Sequence, residues 1–172
     1  VRSDGTVAML LYLPAEDVRA WVNIETGDAD GENGVIEDVV VLPGKEEDKV
    51  YYVVSRIING ARKRYLEKWA KESECIGGTL TKLADSFKVY DGEKVSVLEG
   101  LEHLAGETVI MWRDGICPVD DDGDVKTFTV SSDGKVTVDD DDATVKGGSV
   151  VVGLPYNAPF LSGLLPYAVS LG

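Results

Sequence analysis

The chain has 172 residues, 44% of them hydrophobic, enough to bury a core. Seventeen basic residues against thirty-one acidic ones leave a net charge of −14, which repels phosphate over most of the surface and argues against tight nucleic-acid binding. No stretch approaches the roughly eighteen uninterrupted apolar residues of a membrane span, and no basic start leads into an apolar run, so neither a spanning segment nor an export signal is expected.

The chain opens on Val1 and passes through Arg2-Ser3-Asp4-Gly5 straight into a strand-like run, so it reads as a piece of something longer. Residues 6–13 and 18–24, where Val18, Ala20, Val22 and Ile24 recur at even positions, are joined across Pro14-Ala15-Glu16-Asp17 and predict a hairpin. A Gly- and Asp-rich loop from Thr26 to Gly34 leads to a third strand over 35–42, closed by Pro43-Gly44. Residues 49–58 and 61–69 flank Asn59-Gly60, the pair that supplies both positive-φ positions of a type I′ turn. A two-residue loop fixes the register, with Ile58 opposite Ala61, Arg56 opposite Lys63, Val54 opposite Tyr65, Tyr52 opposite Glu67 and Val50 opposite Trp69. Val50, Tyr52, Val54, Tyr65 and Trp69 then share one face. The other carries Tyr51, Val53, Ile57 and Leu66 among Arg62, Arg64 and Lys68, so cover is expected on both sides.

Alternation is lost over residues 71–86, which read as a connection between two lobes. Short strands resume at 87–90, 94–98, 108–112, 127–130, 135–138 and 149–152, punctuated by Asp91-Gly92, Asp114-Gly115, Asp122-Gly123, Asp133-Gly134 and Gly147-Gly148. This spacing predicts a small barrel or sandwich. The expected organisation is an antiparallel β lobe over 1–70, the connection, and a second β lobe over 87–172, all-β throughout. From Leu154 to Leu171 the chain is apolar and Pro-rich, and an uncovered strip of that kind needs a partner. Tyr156, Phe160, Leu161, Leu164, Leu165 and Tyr167 are its candidate assembly residues, and Pro155, Pro159 and Pro166 keep it from forming a regular helix.

Chemistry-bearing residues are sparse. Cys75 and Cys117 lack CxxC spacing or a neighbouring histidine, and read as inert thiols or, in an oxidising medium, a disulfide. The single histidine, His103, has no Ser and acid constellation with it, and no phosphate-binding glycine motif sits between a strand and a helix. Three acidic clusters, 28–34, 120–124 and 139–142, invite a calcium reading. The first two fail EF-hand spacing, with Asn33 and Val125 where the loop needs glycine; an irregular β-loop calcium site stays open. Arg56, Arg62, Lys63 and Arg64 cluster by hairpin pairing, next to Glu67, and read as a subunit or lobe contact. Catalytic, cofactor-binding and metal residues are expected to be none.

Four segments in order carry a resemblance: residues 48–68 around Asn59-Gly60, residues 98–109 around Leu101-Glu102-His103-Leu104, Arg113-Asp114-Gly115, and Val152-Gly153-Leu154-Pro155-Tyr156. Over roughly residues 5–160 the chain resembles the C-terminal part of bacteriophage and prophage tail proteins of the nozzle, tubular and stabilisation group, which carry a small β-domain shared with ubiquitin-activating enzymes. The resemblance implies a non-enzymatic virion protein, assembled in the host cytoplasm, that forms a homo-oligomeric ring with other tail proteins. DNA would be only a passing cargo in an acidic conduit. The acidic loop over 26–34 and the stretch over 120–126 depart from the shared pattern. From the residues alone, an all-β, acidic, aromatic chain also suits a carbohydrate- or calcium-dependent binding module of an adhesin, which exposed Trp21, Trp69 or Trp112 beside an acidic loop would favour.

Overall fold

Period-two alternation and closely spaced turn residues give the expected outcome in the computed structural model: every sheet is antiparallel and the chain is all-β. The structure describes residues 1–27, 33–70, 75, 82–91, 96–138 and 149–158. No helix among them is long and apolar enough to cross a membrane.

Strands β1 (Val7–Leu13) and β2 (Val18–Ile24) form a two-stranded ribbon, joined by a short 3-10 turn whose last residue, Asp17, closes it in the left-handed region at φ 52°. β3 (Thr26–Gly27), β4 (Asn33–Leu42), β5 (Lys49–Ile58) and β6 (Ala61–Lys68) make a four-stranded sheet in chain order. The β5–β6 register is the one the two-residue turn dictates, from Ile58 opposite Ala61 through Tyr52 opposite Glu67 to Tyr51 opposite Lys68; the Trp69 amide donates to the Val50 carbonyl at 2.9 Å, extending it by one pair. Asn59 and Gly60 have φ 51° and 72°, the two positive values of a type I′ turn. A bulge at Glu37 shifts the β4 phase, so Ile36 and Val39 point inward while Asp38 and Val40 point out.

The second sheet runs in the order β10 (Thr127–Thr129), β9 (Thr108–Arg113), β12 (Ser149–Leu154), β7 (Asp85–Asp91). β12 lies between β9 and β7 and is buried along its whole length. The pair β8 (Val97–Leu98) and β11 (Val136–Thr137) covers one face, so Leu98 and Val136 meet Val109, Met111, Val150, Val152 and Leu154 in one core. Each such side chain contributes about 1.5–3 kcal/mol relative to exposure. This is a sandwich-like arrangement; the barrel alternative is not realised among the described residues, because no pairing closes the β10–β9–β12–β7 sheet on itself.

Two expectations are corrected here. The β5–β6 hairpin is not covered on both sides: Tyr52, Val54, Arg56 and Ile58 are buried, whereas Leu66 on the other face is 69% exposed and Ile57 is exposed too. Nor does the apolar strip begin at Leu154. That residue pairs with Asp85 in β12 and is fully buried. The boundary segment over 71–86 falls mostly outside the described residues, as do Phe160, Leu161, Leu164, Leu165 and Tyr167.

A smaller core gathers Val7, Ile36, Tyr52 and Val54, with Trp69 stacked near Tyr52 at 5.7 Å between ring centroids. The hairpin tip belongs instead to the larger core, where Ile58 is fully buried. The Asn59 amide there donates to the Glu107 carboxylate at 3.2 Å.

Candidate functional site

On β5 the even positions face inward, and Arg56 shares that face with Val54 and Ile58. A buried guanidinium needs every donor satisfied, and its surroundings supply acceptors from three strands. Nε donates to the Gly27 carbonyl at 2.7 Å; both terminal nitrogens bind the Glu67 carboxylate, with Nη2 to Oε2 at 3.1 Å; and Nη2 donates to the Thr26 hydroxyl. Thr26 passes the bond on, donating to Asp85 Oδ2 at 2.7 Å, which also accepts the Gly27 amide at 2.8 Å and lies 3.9 Å from Arg56. Burial pushes the Asp85 carboxyl up; the Thr26 and Gly27 donors and the Arg56 charge pull the other way. β3, β5, β6 and β7 are thereby clasped by one arginine. The sequence reading placed Arg56 with the surface cations Arg62, Lys63 and Arg64, and the structure separates it from them: Arg56 is fully buried and they are exposed.

The other titratable residues take structural parts. The His103 ring is hydrogen-bonded to the Ser86 carbonyl at 2.8 Å, and its own carbonyl accepts the Tyr65 hydroxyl at 3.1 Å. Cys75 and Cys117 are free, so they do not form a disulfide with each other, and burial pushes the Cys117 thiol up, away from a reactive thiolate. Around Asp120 the acidic loop satisfies itself, its Oδ1 accepting the amides of Asp122 at 3.1 Å and Asp124 at 2.9 Å. No metal-holding group of three acidic, histidine or cysteine side chains occurs among the described residues; cluster 139–142 and most of 28–34 lie outside them. A hollow of about 50 Å³ lined by Glu47, Asp48, Lys49, Val50, Lys68 and Trp69 has room for little more than water.

Exposed apolar surface is the larger feature. The β1–β2 ribbon is rooted in the small core by Val7 and Ile24, and beyond that root both its faces carry large apolar side chains. One face presents Met9, Leu11, Leu13 and Val22, the other Leu10, Tyr12 and Trp21, which is 72% exposed. Arg19 lies over the Tyr12 ring at 5.6 Å. A lone two-stranded ribbon is marginal in water, and monomers rarely expose contiguous apolar area on this scale. The sequence reading found the hairpin but not its exposure. Its signal was the pair of apolar faces, since a strand with one wet side alternates with polar residues.

Of the other two tryptophans, Trp112 is half-buried and donates to the Leu83 carbonyl at 2.9 Å, while Trp69 is exposed at the open end of the hairpin. Tyr156, the one candidate assembly residue described, is 39% exposed just after β12, and burial pushes its hydroxyl up. No protein-family model matches the chain, and no curated protein matches it.

Proposed function

We propose that this chain is a non-enzymatic structural subunit of a bacteriophage virion tail, part of a homo-oligomeric nozzle or tube ring through which DNA leaves the capsid. The observation that carries the reading is the β1–β2 ribbon, whose Leu10, Leu11, Tyr12, Leu13 and Trp21 are exposed on both faces and would be covered in an assembly. The net charge of −14 supports it, because an acidic wall lets DNA pass without holding it. The test is mass spectrometry and immunogold labelling of purified virions: the protein in stoichiometric amounts at the tail supports the reading, and virions that lack it overturn it.

Trp21 favours a second reading, a carbohydrate- or calcium-dependent binding module of an adhesin, since an indole exposed on the ribbon opposite Leu10 offers a stacking platform for a sugar ring. Glycan-array binding abolished by Trp21→Ala, or a melting temperature raised by millimolar calcium and not by magnesium, would favour the module.

A further inference from the structure

The outward face of the β4–β6 sheet is apolar with a basic margin. Val40, Leu42, Ile57 and Leu66 are exposed on it, and the register puts Lys49, Arg62, Arg64 and Lys68 on the same side. The acids there are Asp38 and Glu37, and Glu37 is bound by Arg64 at 2.7 Å with Arg62 also close. Lys49 and Lys68 share the hollow at the end of the hairpin with Glu47 and Asp48, so the basic part of this face is its Arg62 and Arg64 end, where two arginines stand against Glu37 in a chain of −14. Arg62 has Ser55 Oγ as a neutral acceptor at 3.0 Å, so its charge remains uncompensated by that bond.

The second sheet carries the converse surface. Between β9 and β10 the chain leaves the core as a loop over 114–126, where Ile116 is 71% exposed and Val119 and Val125 pair across an isolated bridge, both exposed. Asp120, Asp121, Asp122 and Asp124 crowd its tip, with Lys126 the one basic residue in the segment. An apolar stem with an acidic tip matches an apolar face with a basic margin in both kinds of surface.

We infer that the occupant of the outer β4–β6 face is the 114–126 loop of a second copy of this chain, its acidic tip against Arg62 and Arg64 and its Ile116, Val119 and Val125 stem against Leu66 and Ile57. The two surfaces differ, so the contact is heterologous: each copy offers a face to one neighbour and a loop to the other. Such contacts repeat, and they close into a ring when the rotation per copy divides a full turn. The apolar area supplies most of the affinity, and the charges set register and direction. This deepens the ring reading and rests on it only for the closure; the head-to-tail contact itself is testable in solution.

The experiment reverses each surface in turn and compares self-association by sedimentation velocity in low-salt buffer. Arg62→Glu with Arg64→Glu makes that end of the face acidic, and Asp121→Lys, Asp122→Lys and Asp124→Lys together leave Asp120 the one acid at the tip and make it basic. The expected result is concentration-dependent association of the unaltered chain, about tenfold weaker in either variant alone and restored when the two are mixed, because each then meets an opposite charge on both sides. Circular dichroism melts near that of the unaltered chain show that both variants fold. The inference is overturned if the unaltered chain stays monomeric at its highest soluble concentration, if the variants associate as it does, or if mixing restores nothing. Virions that contain the protein alongside an unresponsive charge swap would retire this contact and leave the tail reading standing. A working swap with virions that lack the protein would do the reverse.

Discussion

Replacing Arg56 with methionine keeps most of the buried volume and removes all the charge. Glu67 and Asp85 then remain close together, their side chains 22% and 27% exposed, without the cation that joined them. Breaking a buried pair from one side costs about 3–5 kcal/mol, and the partial exposure of both carboxylates places this site at the lower end, about 3 kcal/mol. At roughly 2–4 °C per kcal/mol for a chain of this size, the melting temperature should fall by about 6–12 °C. Urea titration followed by tryptophan fluorescence and circular dichroism together would measure the cost and check that the two transitions coincide. Adding Glu67→Leu to Arg56→Met removes the second charge, and Asp85 keeps its bonds from Thr26 and Gly27; the double variant should recover about 1 kcal/mol or more of the loss. A single variant within about 1 kcal/mol of the unaltered chain would refute the view that Arg56 holds four strands together.

Gly60→Val places a β-branched residue at φ 72° with open space around it, so backbone strain alone should lower stability by about 1–3 kcal/mol, read in the same urea titration. Gly153→Ala fails for another reason, because its methyl would sit 2.6 Å from the Asp85 carbonyl oxygen and 2.9 Å from the Ala84 side chain; overpacking there should cost about 1–3 kcal/mol and weaken amide-exchange protection in β7 and β12. Asp85 has a raised folded-state pKa, so its ionisation penalises the folded state increasingly as pH rises from its unfolded value through the folded one. The melting temperature of Asp85→Asn minus that of the unaltered chain should therefore grow more positive across that window, whatever its value at acid pH, and parallel curves would contradict the assignment.

Local pattern made the strands and the 59–60 turn legible, since period-two alternation and Asn-Gly chemistry act over a few residues. Partner choice at long range was not: nothing in the periodicity of residues 149–154 says that this strand inserts between β7 and β9, because both neighbours offer it apolar faces. Leu154 belongs by composition to the apolar, Pro-rich run that follows it, and only its pairing shows it to be the last residue of β12. Arg56 stands at an even position among Tyr52, Val54 and Ile58, and that parity places it inward; three neighbouring cations in the sequence suggested a surface cluster instead. Covering the hairpin on both sides followed from counting apolar residues per face. Cover depends on what elements the chain has left to place there, and Leu66 lies under none of the described ones.

The position of β12 also determines how the fold bears load. Its backbone is laddered to β7 on one side and β9 on the other, and Leu154 is held in the core at its end. A pull on the chain beyond Pro155, directed along the strand, would stress both ladders in shear at once, so many hydrogen bonds must fail together. A pull on the β1–β2 ribbon across its strands meets them one pair at a time, like a zipper. Tension entering through residues after 155 would thus reach the second sheet as through a bolted joint, while the ribbon yields first and takes Val7 and Ile24 from the small core only when its last pair opens.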